Sequence, residues 1–220
     1  MPMFVYIGTP LNPGSQVYTS GSGNFTVPTY YSSLRVRLWG GGGGGGGAGT
    51  VVNDDAVDGG NSSFNTSVIA SGGSRARWNS GTITRSGGAA VSGSGGDYSS
   101  SSEAGDDGNR NDGIYFGNGY GGDAAETGLG GGAGGVLTAF GAGISGAAPG
   151  GGGSGGWNTG INKGAGGAGG GFTEKVYAYT ALTPGASIPY VVGAGGAAGT
   201  SNVQPGGAGA TGRIEIDWDY

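Results

Sequence analysis

The chain has 220 residues, of which 61 are glycine, and it carries a formal net charge of -5 with no cysteine and no histidine. That composition excludes a disulfide framework and a thiolate metal site, and without a basic cluster it speaks against nucleic acid as a partner. A collagen helix is excluded because no Gly-X-Y period exists and only 8 prolines are present; an aromatic content of 10% beside only 10% charged residues speaks against disorder.

No run of about 18 apolar residues exists, so no membrane insertion is expected. The N-terminus lacks the basic region, apolar run and small-residue cleavage site of a signal peptide.

In chain order, the first strand candidates are "FVYI" (4–7) and "GNFTVP" (23–28). In "LRVRLW" (34–39), Leu34, Val36 and Leu38 alternate with Arg35, Arg37 and Trp39, the period of a half-buried strand. "FNTSVIA" (64–70) follows, then "EKVYAYTAL" (174–182) and "SIPYVV" (187–192), the last two joined through the turn signal "TPGA". The C-terminal "RIEIDW" (213–218) sets Ile214, Ile216 and Trp218 against Arg213, Glu215 and Asp217. Arginines on one strand and acids on the other predict that 34–39 and 213–218 share a sheet through cross-strand charge pairs. No helical period of useful length occurs.

Between the strands lie glycine segments at 40–49, 128–135, 141–156, 164–171, 193–199 and 206–212. Their similar lengths suggest parallel rods. A polyproline II chain has three residues per turn and no internal hydrogen bonds, so its amides point outward. Where every residue is glycine, neighbouring rods can approach and pair those amides sideways. The expected fold is therefore all-β: a small β-sheet or sandwich base supporting a bundle of polyglycine II helices, with loops at the distal end.

The stretches "FTVP" (25–28), "LTPGAS" with "PYVVGAGG" (182–196), and the closing "GRIEIDW" (212–218) resemble the glycine-rich domain of bacteriophage tail-fibre adhesins, the receptor-binding proteins at the fibre tips of T-even-like phages. The resemblance covers roughly 21–220 and implies a β base, a polyglycine II sandwich, and distal variable loops, about 74–128 and 136–163 here, that contact a bacterial polysaccharide or outer-membrane protein. It implies a place in the virion, at a tail-fibre or baseplate tip. Residues 1–20 do not resemble the attachment domain of such proteins and are expected to form a separate N-terminal attachment segment to a fibre or baseplate carrier.

Residues 97–122 are the least repetitive part between glycine segments. Tyr, Ser, Gly and Asn fill 17 of these 26 positions, the vocabulary of antibody loops. The segment holds five acids against Arg110, whereas the remainder holds nine acids and eight bases; segregated charge of this kind steers association. The candidate anchors are Tyr98, Tyr115, Phe116 and Tyr120, with Asp106, Asp107, Asn109, Arg110, Asn111 and Asp112 as polar contacts. Trp78 and Trp157 are candidates for stacking on a sugar or apolar face. The competing reading makes these aromatics caps over the glycine bundle and the acids a solvated loop.

No enzyme is expected. "GGGSGG" places Ser154 in a G-x-S-x-G frame, but no histidine exists to act as base. "DGNRND" (107–112) resembles a calcium loop, yet its glycine stands at the seventh position and Asn118 at the twelfth, so no metal site is expected. Asp106 and Asp107 lack the apolar pocket that raises a glycosidase acid. No cofactor is implied. A structural virion component, a capsid decoration protein or fibre spacer, is the alternative to an adhesin.

Overall fold

The computed structural model describes residues 13–48, 56–79, 84–108, 119–136, 138–158 and 164–219. Its strands are β1 (Gly14–Tyr18), β2 (Ser22–Thr26), β3 (Ser33–Trp39), β4 (Ser62–Phe64), β5 (Val68–Ala70), β6 (Arg77–Asn79), β7 (Thr84–Ser86), β8 (Gly93–Ser94), β9 (Tyr98–Ser100), β10 (Phe172–Ala178), β11 (Ser187–Val191) and β12 (Arg213–Asp219). One antiparallel sheet runs β1-β12-β3-β10-β9, a second β2-β11-β4-β5-β8, and β6 and β7 form a separate hairpin.

The charge pattern sets the centre of the first sheet. Arg37 lies opposite Glu215 and Arg35 opposite Asp217, and the Arg37 guanidinium is 3.0 Å from Glu215 and 2.7 Å from Asp217. The opposite faces carry Leu34, Val36, Leu38, Ile214 and Ile216, fully buried against Phe25, Phe64, Val68 and Ile188 of the second sheet. Side chains of period two thus make an ordinary sandwich core.

Beyond the strands the period becomes three. Along 40–48 the amides of Gly40, Gly43 and Gly46 donate to Gly171, Ala168 and Ala165, those of Gly41 and Gly44 to Gly60 and Val57, and those of Gly42, Gly45 and Ala48 to Ala210, Gly207 and Gln204. The carbonyls follow the same rule: Gly41 and Gly44 accept from Gly73 and Ala76, Gly42 and Gly45 from Gly196 and Gly199, Gly43 and Gly46 from Gly153 and Gly156. Segment 40–48 is therefore bonded to six neighbours.

Segments 150–157 and 164–171 alternate partners in the same way, and the three bond mutually through Gly43 N to Ala168 O, Gly153 N to Gly43 O, and Gly167 N to Gly153 O. Around this triangle stands a ring of further segments, in the order 56–61, 71–76, 87–92, 102–108, 119–125, 131–136, 142–147, 204–212 and 193–200. Each is bonded to the next, and Gly60 N to Ala194 O closes the ring.

Close approach explains seven of the eight glycines of 40–47; at Gly46 a Cβ would meet nothing nearer than 3.5 Å. A Cβ on Gly41, Gly42, Gly43 or Gly44 would stand 2.1, 2.1, 2.2 or 1.9 Å from a backbone oxygen of a neighbouring segment. No rotamer relieves a clash with backbone.

The chain runs up and down between the two ends. Segment 40–48 leaves β3 and 56–61 returns to β4; 71–76 leaves β5 and 87–92 returns to β8; 164–171 returns to β10 and 204–212 to β12. Both sheets consequently stand at one end, and the hairpin β6–β7 and the turns at 138–141 and 201–203 stand at the other.

Several sequence expectations are corrected. "FNTSVIA" is not one strand but the hairpin β4–β5, because Asn65 and Thr66 both adopt left-handed φ of 50° and 53° and fold the chain back. The expected "TPGA" turn does form, with Ala186 N on Thr183 O and Gly185 at φ 76°, and it carries the chain from one sheet to the other.

Segment 141–156 is two, divided at the turn Ala148–Gly150, and the segment expected at 128–135 begins only after a 3₁₀ turn at Thr127–Leu129. The span 74–128 is not a single distal loop, since β8 and β9 within it belong to the two sheets. β1 pairs with β12, so residues 14–18 are part of the sandwich and not of a separate segment 1–20. "FVYI" lies outside the described residues.

Gly43→Ala is expected to cost at least about 3 kcal/mol, the upper range for overpacking, seen as a fall in Tm on thermal denaturation. Gly128→Ala, whose added Cβ meets nothing within 4 Å, is expected to leave Tm unchanged; equal behaviour of the two variants would contradict this packing.

Candidate functional site

The end away from the sheets carries an aromatic pair. Trp157 ends segment 150–157, half-buried, and its backbone exchanges two hydrogen bonds with Gly141. The turn at 138–141 thereby brings Phe140 against it, ring centroids 4.9 Å apart at 72°, an edge-to-face geometry favoured by the ring quadrupoles. Phe140 is 60% exposed, and Val136, Ile144 and Val203 are exposed on the adjoining segments and turn.

Charge is divided around the ring. Segments 131–136, 142–147, 204–212 and 193–200 are consecutive there and contain no Asp, Glu, Lys or Arg. Asp58, Arg75, Glu103, Asp106, Asp107 and Asp123 all lie on segments of the other half. The apolar groups just named therefore share the uncharged half, apart from the half-buried Trp157, which rises from the central triangle beside it.

Those sequence-derived candidates that lie among the described residues scatter. Tyr98 is in β9 at the sheet end, its hydroxyl donating to Glu126 Oε1 at 2.6 Å and its ring 6.1 Å from Phe172. That bond to Glu126, followed by burial and the glutamate's charge, raises the phenol's pKa. Tyr98 is thus remote from the turns at the other end because pairing with β10 fixes it in the sheet. Tyr120 is the second residue of segment 119–125 and accepts from Asp106 N through its carbonyl. The backbone of Trp78 lies in β6. Asn109, Arg110, Asn111, Asp112, Tyr115 and Phe116 lie outside the described residues.

The described acids of the patch read from 97–122, Asp97, Glu103, Asp106 and Asp107, do not form one cluster. Asp97 is at the sheet end, where its carboxylate accepts from Lys175 Nζ and from Val176 N at 2.9 Å. The Lys175 hydrogen bond, then the Val176 amide, hold its pKa below the ordinary value. These bonds occupy the edge of β10 beyond the last residue paired with β9, where an open strand edge would otherwise invite pairing.

Asp107 has a structural task. Its Oδ1 accepts from Gly87 N at 2.8 Å, and the same device recurs with Asp58 on Arg75 N, Asn61 on Gly72 N and Asp123 on Gly134 N. Each ring segment lacks a neighbour on its outer side, and a short carboxylate or amide satisfies the outward donor. The spacing of Asp58 and Asn61, three residues apart and serving Arg75 and Gly72, was the signal available in the sequence. Ser154, buried in the central triangle, similarly accepts from Ile144 N at 2.8 Å.

At the sheet end an open groove of about 240 Å³ is lined by Glu103, Asp123, Glu126 and neighbouring backbone. Among the described residues no three His, Cys, Asp or Glu side chains converge as metal ligands. Phe140 was missed in the sequence, although "VLTAF" (136–140) is a conspicuous apolar run between two glycine segments.

Compared with known proteins, the chain matches no family model and no curated sequence.

Asp107→Ala is expected to lower stability by about 0.5–1.5 kcal/mol through loss of the bond to the Gly87 amide, which then turns to water, whereas Asp107→Asn, which keeps an acceptor, changes it little; urea denaturation separates the two.

A second prediction concerns Asp97. Its folded pKa is depressed, so its contribution is full above the unfolded value of about 3.9 and is lost as pH falls through the folded one. The Tm difference between wild type and Asp97→Asn should therefore be largest near neutrality and vanish at about pH 2.

Proposed function

We propose that the glycine segments are polyglycine II helices forming a bundle, and that the protein is a phage tail-fibre or baseplate receptor-binding protein whose far end meets a bacterial surface receptor without catalysis. The helical reading is supported by the three-residue alternation of amide partners along 40–48, 150–157 and 164–171, the repeat of a threefold helix without internal bonds.

The observation that carries the binding reading is the division of labour between the ends. The sandwich gathers ten of the twelve strands and much of the apolar core at one end, whereas the other presents the β6–β7 hairpin, turns and the exposed Phe140 beside Trp157. Loops held on a stiff scaffold lose little conformational entropy on contact, which suits a surface that must engage a target from solution. The resemblance of "FTVP", "LTPGAS" and the closing "GRIEIDW" to tail-fibre adhesins points the same way.

Fluorescently labelled protein applied to a panel of bacterial strains should decorate whole cells of some strains and, on those, compete with phage adsorption. Decoration of none would leave the virion-spacer alternative in its place. The bundle is tested separately by amide hydrogen exchange: the amides of Gly40–Gly46 should exchange only through global unfolding, and rapid exchange there would remove the helical reading.

A further inference from the structure

We infer that the carrier is held at the sheet end by strand addition: an extended, uncharged segment of the carrier pairs with the open edge of β1 and lays side chains against Tyr18 and Trp218. The inference rests on the receptor-binding reading, which turns the far end toward the cell and leaves the opposite end for the particle.

The sandwich is closed on one side and open on the other. On the closed side β9 and β8 are only three and two residues long, and the turn at 95–97 joins them, its Asp97 taking the Val176 amide at 2.9 Å. On the open side β1 and β2 are five residues each. Among the described residues β1 pairs only with β12, and β2 only with β11. Proteins blunt an exposed edge with charge, proline or a bulge. The β1 sequence GSQVY holds no charge and no proline, and its register with β12 runs unbroken over all five residues.

An open edge selects its own kind of partner. It presents amides and carbonyls in alternation at strand spacing, a pattern that another extended backbone repeats and a glycan or an ion does not. The side chains around the edge agree. Trp218 lies over Gly14, where an added Cβ would stand 2.0 Å from the indole, and Tyr190 lies over Gly23, where it would stand 2.9 Å from the hydroxyl. Tyr18 stacks on Tyr190 with ring centroids 4.0 Å apart. These three rings are half-buried, so a strand added at β1 covers aromatic surface without stripping any charge on its own edge of hydration. Five ladder pairs already fix β1, and little order remains to be gained on binding.

The test is made in the phage that encodes the chain, with gradient-purified particles probed by immunoblot. Val17, 54% exposed on β1, is the site of change. Val17→Lys should lower the chain content of particles at least about tenfold. Val17→Thr, which keeps an uncharged β-branched residue, should not, and neither should Val176→Lys, exposed on β10 away from the edge. Consecutive amides of a strand point to opposite sides, so of Gln16→Pro and Val17→Pro one strikes the β12 ladder and lowers Tm. The other strikes the open edge, keeps its Tm and should be lost from particles. The purified Val17→Lys protein should melt as wild type and still decorate cells.

Wild-type content in Val17→Lys particles would overturn the inference. Loss with Val17→Thr equal to that with lysine would also overturn it, by making the contact a side-chain anchor. A dimer of the isolated chain that Val17→Lys dissociates, with particle content intact, would assign the edge to a second copy. Absence of the chain from wild-type particles would instead remove the virion reading itself.

Discussion

The structure depends on one interaction, the sideways hydrogen bond between backbone amides of neighbouring glycine segments. Each such bond contributes only about 0.5–1.5 kcal/mol net, and each glycine loses more conformational freedom on ordering than any other residue. The arrangement is stable because the bonds are shared: Gly43 donates to Ala168 and accepts from Gly153, so no segment of the central triangle orders alone. The interior is backbone against backbone, and the added methyl of an alanine at Gly44, 1.9 Å from the Ala197 carbonyl, has no place in it.

A lattice of amides needs a boundary condition at the end where it begins, and the sandwich provides it. Trp39, the last residue of β3, is fully buried; its indole N–H donates to Ala125 O at 3.1 Å, and the Arg213 guanidinium lies 4.5 Å over its ring. Phe172 packs on it at 4.9 Å. Ser62 Oγ donates to Trp39 O at 2.7 Å and accepts from Gly193 N at 2.9 Å, bonding two departing chains at the point where the period changes from two to three. Side-chain packing thus sets the relative heights of the segments before the amides take over.

The outer ring follows a different economy. Its segments face solvent on one side, so they tolerate side chains, and on one half those side chains are short acceptors that satisfy outward amides, as Asp58 does for Arg75 and Asp123 for Gly134. The other half is free of charge and carries the apolar groups beside Trp157. In the proposed reading, the halves divide the work of solubility and recognition, while the central triangle makes both surfaces rigid.

The sequence by itself determined what depends on local pattern. Alternation in 34–39 and 213–218 and the signs of their charges fixed two strands and their pairing, because cross-strand neighbours are set by period and charge alone. The glycine run at 40–47 likewise announced an interior without side chains. Only the tertiary structure decided which other segments join that interior. The ring segments 56–61, 71–76, 87–92, 102–108 and 119–125 carry Val, Asp, Arg and Glu on their outer faces, so their composition hides the inward period of three. Tertiary pairing also drew Tyr98 and Asp97 to the sheet end, through β10 and Lys175, and brought Phe140 to Trp157 across 16 intervening positions of the chain. Contacts of that kind have no signature in sequence, because they are made by neighbours in the lattice of segments and not by neighbours along the chain.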